Sequence, residues 1–274
     1  VPAGAAPTIA RAFVATARGT LHVASAGTGF PVLLLHQTPR SWDEYREVLP
    51  LLGGRYRAIA MDTPGFGDSP PFDDGEPSIE RWAGAALALL DAMGIGRAAI
   101  VGHHTGAVIA MEAAVQAGGR IAALVLSSCP MVDAARRERH AGPTIDDVDR
   151  SPGGAHLLRL WQRRQPFYPE GDVALLERFM ADALRAGDRG PQGHRCVNRY
   201  RMESRIGQVA CPTLVLAAPE DPHAYPSTRR IAAAIRGSRR TELAGGRVPL
   251  PDQMPAAFAD AVARFLDDAG LDDA

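Results

Sequence analysis

Three observations predict an α/β fold with a mostly parallel sheet flanked by helices. Strand-length apolar runs alternate with helical stretches through the first half of the chain. The alternation then stops for a long arginine- and proline-rich segment, and afterwards it resumes. Strands interleaved with helices of ten or more residues imply right-handed crossovers and a sheet covered on both faces.

In order, apolar runs at Ala12–Ala17, Leu21–Ala26 and Val32–His36 are separated by Arg-Gly-Thr and Gly-Thr-Gly turn signals, and they read as an antiparallel opening that feeds a buried strand. Ser41–Leu52 has Trp42, Tyr45, Val48, Leu49 and Leu52 at helical spacing, with Ser41 as N-cap. Strand Arg57–Met61, helix Ile79–Met93 capped by Ser78, strand Ala98–Val101, helix Thr105–Ala117 and strand Ala122–Leu126 follow. Residues 131–208 have no buried strand but carry helical patterns such as Ala155–Gln162 and Val173–Ala186, so they are expected to form an inserted helical lid between core segments 1–130 and 209–274. Strand Pro212–Ala217, helix Thr228–Ile235, a short strand near Arg240–Leu243, an amphipathic helix Ala256–Leu266 and an acidic, frayed tail complete the reading.

The 274 residues suffice to bury a substantial apolar interior without staples. A formal charge of −1 gives no electrostatic reason to expect nucleic acid or an anionic membrane as partner, so a small-molecule substrate or ligand is expected, and a homodimer is compatible with the sequence. The chain contains no lysine, which excludes Schiff-base chemistry. Cys129, Cys196 and Cys211 lack the spacing of a disulfide framework or zinc site. With no signal-like start and no apolar stretch of bilayer length, a soluble protein of the reducing cytoplasm is expected.

Strand Ala98–Val101 runs directly into Gly102-His103-His104-Thr105-Gly106 and then a helix, the context required of a G-x-Nu-x-G nucleophile elbow. Four more segments stand in order around it: His36-Gln37-Thr38-Pro39, Met61-Asp62-Thr63-Pro64-Gly65-Phe66-Gly67-Asp68-Ser69, Pro219-Glu220-Asp221-Pro222 and Gly246-Arg247-Val248-Pro249. Together they resemble the H-G-x-P loop, the D-x-x-G-x-G-x-S segment, the acid loop and the histidine loop of the α/β-hydrolase superfamily, most of all its epoxide-hydrolase and haloalkane-dehalogenase branch. The resemblance, which runs from about Thr20 to Leu266, implies the α/β-hydrolase fold with an eight-stranded sheet and a helical cap.

It also implies a nucleophile at position 104 and a basic histidine at 247, where this chain has His104 and Arg247. Arginine stays protonated at physiological pH, so the ordinary triad mechanism is disfavoured. On the matched positions, His104 is expected at the elbow as general base, or as nucleophile. Asp221 is expected to pair with Arg247, whose guanidinium either anchors a carboxylate, phenolate or enolate or serves only as a structural ion pair. Backbone N–H groups of Thr105 and of the Gln37–Thr38 loop are expected to face an oxyanion position, with Gln37 standing where the family has glycine.

Other residues carry weaker readings. His103 is expected to face the core, and His36 to brace the oxyanion loop. Asp133 is an alternative carboxylate for His104, and Cys129 reads as a buried small hydrophobe. His223 either borders the pocket or sits in a loop. Among lid aromatics, Trp161, Phe167, Tyr168, Phe179 and Tyr200 suit packing, while Trp161, Tyr168 and Tyr200 retain a claim to pocket contact; the Arg136-Arg137-Glu138-Arg139 run reads as a solvated face. No histidine spacing suggests a metal, and no phosphate-cradling loop suggests a nucleotide, so no cofactor is expected.

The expected function is that of a cofactor-independent enzyme acting on a small to medium, mostly apolar organic substrate with a carbonyl or acidic group. Acid–base chemistry, an atypical hydrolysis and cofactor-free oxygen chemistry all remain open. The alternative from a different class is a catalytically retired binding protein that keeps the pocket.

Overall fold

The structure is a computed structural model that describes residues 7–271; the tail expected to fray after Leu266 is ordered over residues 267–271, where the last helix runs to Asp268 and Leu271 is buried, and its end lies outside the described residues. One sheet contains strands β1 (Ala10–Thr16), β2 (Gly19–Ala26), β3 (Pro31–Leu35), β4 (Arg57–Met61), β5 (Ala98–His103), β6 (Ile121–Ser127), β7 (Thr213–Ala217) and β8 (Arg239–Glu242). Their spatial order is β1-β2-β4-β3-β5-β6-β7-β8. β1 and β2 join as an antiparallel opening and β2 meets β4 antiparallel, whereas β4, β3, β5, β6, β7 and β8 run parallel.

The strands read as continuous apolar runs because both faces are buried. Successive side chains point to opposite faces, so Leu33 and Leu35 join one apolar cluster while Val32 and Leu34 join another. The first cluster is covered by α2 (Ile79–Ala92), α3 (Thr105–Ala117) and, further on, α8 (Thr228–Ala234), through residues such as Trp82, Leu89, Ile109 and Ile231. The second is covered by α1 (Val48–Gly53) and the last helix, α10 (Pro255–Asp268), through Leu49, Phe258 and Val262. Before α10 lies the single turn α9 (Leu250–Gln253). Ser78 caps α2 as expected, its side chain accepting from the Arg81 N–H.

The helix expected over Ser41–Leu52 is broken into a 3₁₀ turn, Trp42–Tyr45, and α1. The physical cause is polar. Glu44 is fully buried and turns its carboxylate back to accept the Gln37 N–H at 2.9 Å, and the Ser41 hydroxyl accepts from Asp43 N–H rather than further along.

Between β6 and β7 the chain forms α4 (Ala134–Arg139), α5 (Ala155–Arg164), α6 (Val173–Ala186) and α7 (Arg189–Arg199). This helical insertion has an apolar centre of its own, with Leu160, Tyr168, Leu175, Leu176 and Phe179. Helix α7 escapes sequence reading because Gly190, Pro191 and Gly193 are poor helix formers. Tertiary packing requires the glycine: a Cβ at Gly193 would come within 2.6 Å of the Thr38 side chain. The insertion is tied to the core by charge. Arg40, fully buried, donates to Asp182 of α6 at 2.8 Å and to Asp252 at 2.6 Å, and Arg178 of α6 reaches Asp43 at 2.8 Å.

Candidate active site

The elbow is built by close backbone approach. A Cβ on Gly102 would lie 2.1 Å from the Gly106 carbonyl oxygen, and one on Gly106 would lie 1.9 Å from the Leu35 carbonyl oxygen, so only glycine lets β5, α3 and β3 cross at this distance. Between them His104 has φ 47° and ψ −111°, a conformation that L side chains seldom adopt and that points the imidazole out of the turn. Its N–H donates to the Ser127 carbonyl at 3.0 Å, which fixes the elbow to the neighbouring strand.

His104 Nε2 lies 2.8 Å from Asp221 Oδ2, with the carboxylate wholly buried. The oxygen stands off the ideal N–H direction, so the contact is close but not a well-aligned hydrogen bond. The other Asp221 oxygen accepts from the N–H groups of His223 and Ala224 at 2.9 and 3.2 Å. Burial pushes the Asp221 carboxyl up, but the His104 ring and these donors outweigh it and hold it well below the usual carboxylate range. The His104 ring, 14% exposed, carries its remaining nitrogen, Nδ1, free of any hydrogen bond among the described residues.

This pairing corrects the expected one. Arg247 does not meet Asp221; its guanidinium sits 2.8 Å from Glu220, in a half-exposed pair, and its N–H comes no nearer than 3.4 Å to the Tyr168 carbonyl. The reason is the turn after β7: Asp221 N–H donates to Ala218 O while Glu220 N–H donates to Gly246 O, so adjacent acids face opposite ways. Asp133 is not a partner of His104 either. It caps α4 by accepting from Arg136 N–H at 2.9 Å and pairs with Arg230.

A cavity of about 140 Å³ opens over His104, with Gln37, Thr38, Thr105, His223 and Val248 on the core side. Thr105 begins α3 and brings an N–H that the helix does not use. The expected donation from Gln37 N–H fails, since that group is committed to Glu44. Burial holds the Glu44 carboxyl above its ordinary range. The Gln37 side chain borders the same cavity, but its amide also lies against the Glu44 carboxylate. His36 braces this loop from behind, its Nδ1 donating to Gln37 O at 2.8 Å and its Nε2 accepting the Thr63 N–H at 3.0 Å.

His103 faces the core. Nε2 donates to the Val248 carbonyl at 2.8 Å and Nδ1 accepts from the Ser127 hydroxyl at 3.0 Å. His223 borders the pocket with its ring 4.5 Å from that of Phe167, and burial lowers its pKa to about 4, so it stays neutral. Cys129 is buried, and burial pushes its thiol up to about 12, which removes it as a nucleophile.

The aromatic candidates of the insertion lie elsewhere. Tyr168 packs on Phe179, Trp161 packs against the same apolar centre, and the Tyr200 hydroxyl donates to Glu112 of α3. What sequence reading missed is the wall that the insertion gives the cavity: Arg136, His140, Arg164 and His194 all come from it. Arg136 in particular turns inward from the run read as solvated, while Arg137 pairs outside with Glu203. The density of arginine and histidine in residues 131–208 was the one available signal. A larger cavity of about 480 Å³ lies within the insertion, but it contains no elbow residue and carries charges of both signs, so the smaller one is the candidate site.

A third polar cluster lies near the sheet edge, where His22, Asp62 and Asp68 bring ligand-type atoms within 4.8 Å of one another. Arginine serves it: Arg11 Nε donates to His22 Nε2 at 3.0 Å, and Arg11 and Arg185 both pair with Asp68. It therefore fastens the loop after β4. Among the described residues, no helix is long and apolar enough to cross a membrane.

A family model described as "Alpha/beta hydrolase family" matches residues 27–261. "Epoxide hydrolase 2" of Siraitia grosvenorii is 38% identical over 135 residues, which cover 47% of this chain and 39% of that protein. "2-Hydroxymuconate semialdehyde hydrolase" of Pseudomonas sp. (strain CF600) is 35% identical over 124 residues, 44% of this chain and 43% of that protein. The match thus spans about two fifths of each of these relatives. In three dimensions, a hydrolase from Pseudomonas aeruginosa PA01 superposes with a TM-score of 0.78 at 25% identity, covering 93% of this chain and 98% of its own. With the sheet order, the elbow and the matched residues agreeing, the chain belongs to the α/β hydrolase family.

Proposed function

We propose that the protein is a cofactor-independent enzyme in which His104, oriented by Asp221, acts as the general base at the elbow on a small organic substrate that bears a carbonyl or acidic group. The observation that carries this reading is the division of the His104 ring. Nε2 is held beside a buried carboxylate, which favours the tautomer protonated there and so leaves Nδ1 to accept a proton, and the residue borders the cavity. A carboxylate that holds one imidazole nitrogen also stabilises the imidazolium that forms when the other takes a proton. The proton comes from water, for an atypical hydrolysis, or from an acidic position of the substrate. Thr105 N–H then faces the oxygen on which negative charge develops.

The name of the semialdehyde hydrolase supports a carbonyl-bearing substrate. In this reading the helical insertion, residues 131–208, is a lid that closes the cavity against water, and Arg247 has no catalytic role.

The test is untargeted mass spectrometry of a cellular metabolite extract incubated with wild-type protein and with His104→Ala. The expected result is a mass change made only by the wild type. A ligand retained by both proteins with no mass change would replace this reading with that of a binding protein that has lost its chemistry.

A further inference from the structure

The donors around the cavity outnumber the acceptors that the protein offers them. Arg136 comes from α4, is half-buried, and its Nε is fully shielded with no hydrogen-bond partner. Among the described residues its guanidinium forms no ion pair. Its neighbours do: Arg164 donates to Asp146 at 2.8 Å and lies 4.6 Å from the Phe179 ring centre, and Arg137 is taken by Glu203. From the core side, Gln37 is 3% exposed and borders the cavity, with its amide lying against the Glu44 carboxylate. Thr144, on the loop after α4, borders the same cavity with its hydroxyl buried near the Asp147 carboxylate. Among the described residues, no aspartate or glutamate lines it.

An arginine with no counterion therefore borders the cavity beside His104, with the polar side chains of Gln37 and Thr144 on the walls around it. A buried donor left unsatisfied costs about 1–3 kcal/mol, and more when charged. Burial and the neighbouring Arg139 hold the Arg136 pKa below the usual arginine range, as expected of a cation lacking its counterion. The arrangement is that of a site awaiting an anion with at least two oxygen acceptors.

We propose that this cavity is a carboxylate site in which Arg136 binds the acid group of the substrate, with Gln37 and Thr144 forming the polar walls beside it. A planar guanidinium matches a carboxylate's two oxygens. At about 140 Å³ the space is well below the roughly 300–1,000 Å³ of pockets for drug-sized ligands, so the occupant is a small organic acid. This inference rests on the reading of His104 as the reacting group only in calling the acid a substrate; the anion site itself stands on binding.

Titration calorimetry with benzoate, propionate and the uncharged benzamide tests it. Wild-type protein is expected to bind benzoate or propionate at least tenfold more tightly than benzamide. Arg136→Gln is expected to lose at least tenfold in carboxylate affinity with benzamide unaffected, Arg136→Lys to lose less, and Arg139→Gln, which removes a nearby exposed cation, to bind as wild type. Circular dichroism and a thermal melt confirm that each variant is folded. If neither carboxylate binds the wild type more tightly than benzamide, or if Arg136→Gln binds carboxylates as wild type does, the proposal is overturned. Should Arg136→Gln fail to fold, Gln37→Leu serves in its place, with the same loss of carboxylate affinity expected and unchanged affinity overturning the proposal. His104→Ala separates the two readings: carboxylate binding retained without any turnover by wild type would leave the anion site standing and the enzymatic reading refuted.

Discussion

The rings of His103 and His104 stand 4.8 Å apart, centre to centre, at 87° to one another, and this edge-on arrangement separates two adjacent histidines into opposite environments. His103 is locked between Ser127 and the Val248 carbonyl, while His104 meets the cavity. Burial, reinforced by the neighbouring His104, lowers the His103 pKa to about 3, against about 6.5 for a free imidazole.

That difference has a sign. Between about pH 3 and 6.5 the unfolded chain binds a proton at His103 that the folded chain refuses, so stability rises with pH across this window and the gain is complete above it. His103→Gln is expected to flatten this slope in urea unfolding measured at several pH values from 4.5 to 7.5. Some slope remains from His36 and His223, which burial also holds low. An unchanged slope would mean that His103 is not a buried neutral group.

For the His104–Asp221 pair, each of His104→Ala and Asp221→Asn is expected to lower kcat by about 10²–10⁴-fold on the substrate that the metabolite screen identifies. Because the two act as a unit, the double variant should lose little more than the worse single one. Independent, multiplying losses in kcat would show that Asp221 does not work through His104.

Arg247 yields the opposite expectation. Its pair with Glu220 is 33% and 47% exposed at the two side chains, and pairs of this kind contribute about 0–1 kcal/mol. Arg247→Ala should therefore change stability by no more than about 1 kcal/mol and leave kcat/KM within about twofold. A large loss of activity would return this arginine to the site.

The contrast between Asp221 and Arg247 shows where sequence reading succeeds and where it stops. Strand β5 and helix α3 were legible because apolar runs, flanking glycines and helix length are local properties; α3 begins and ends at the expected Thr105 and Ala117. The eight-stranded sheet followed from the resemblance. Which of Glu220 and Asp221 faces inward depends on a turn stabilised by Gly246, a residue far along the chain, and no local pattern carries that information. Likewise the Arg136–Arg139 run looks uniformly solvated until the Asp133 cap sets the phase of α4 and turns one arginine to the cavity. Helix α7 was lost for the converse reason: its glycines lower local propensity while serving contacts with Thr38 and Pro39.

Gly106→Ala is expected to be among the most damaging single substitutions, because the new methyl would meet the Leu35 carbonyl at 1.9 Å and backbone cannot rotate away as a side chain can. A loss of more than about 4 kcal/mol, or failure to accumulate as folded protein, is the expected outcome. Expression and thermal melting decide it; a well-folded variant with wild-type stability would show that β3 and α3 are not in such close contact.

The same contacts explain why the identity of residue 104 is open to change at all. The sharp turn is enforced by Gly102, Gly106, Leu35 and the Ser127 carbonyl, and none of these touches the side chain at 104 through the interactions that enforce it. The fold thus treats that position as a socket, with the strain of the backbone borne by the frame and the fitting interchangeable. A change at that position would alter the group displayed over the cavity while leaving the architecture that displays it in place.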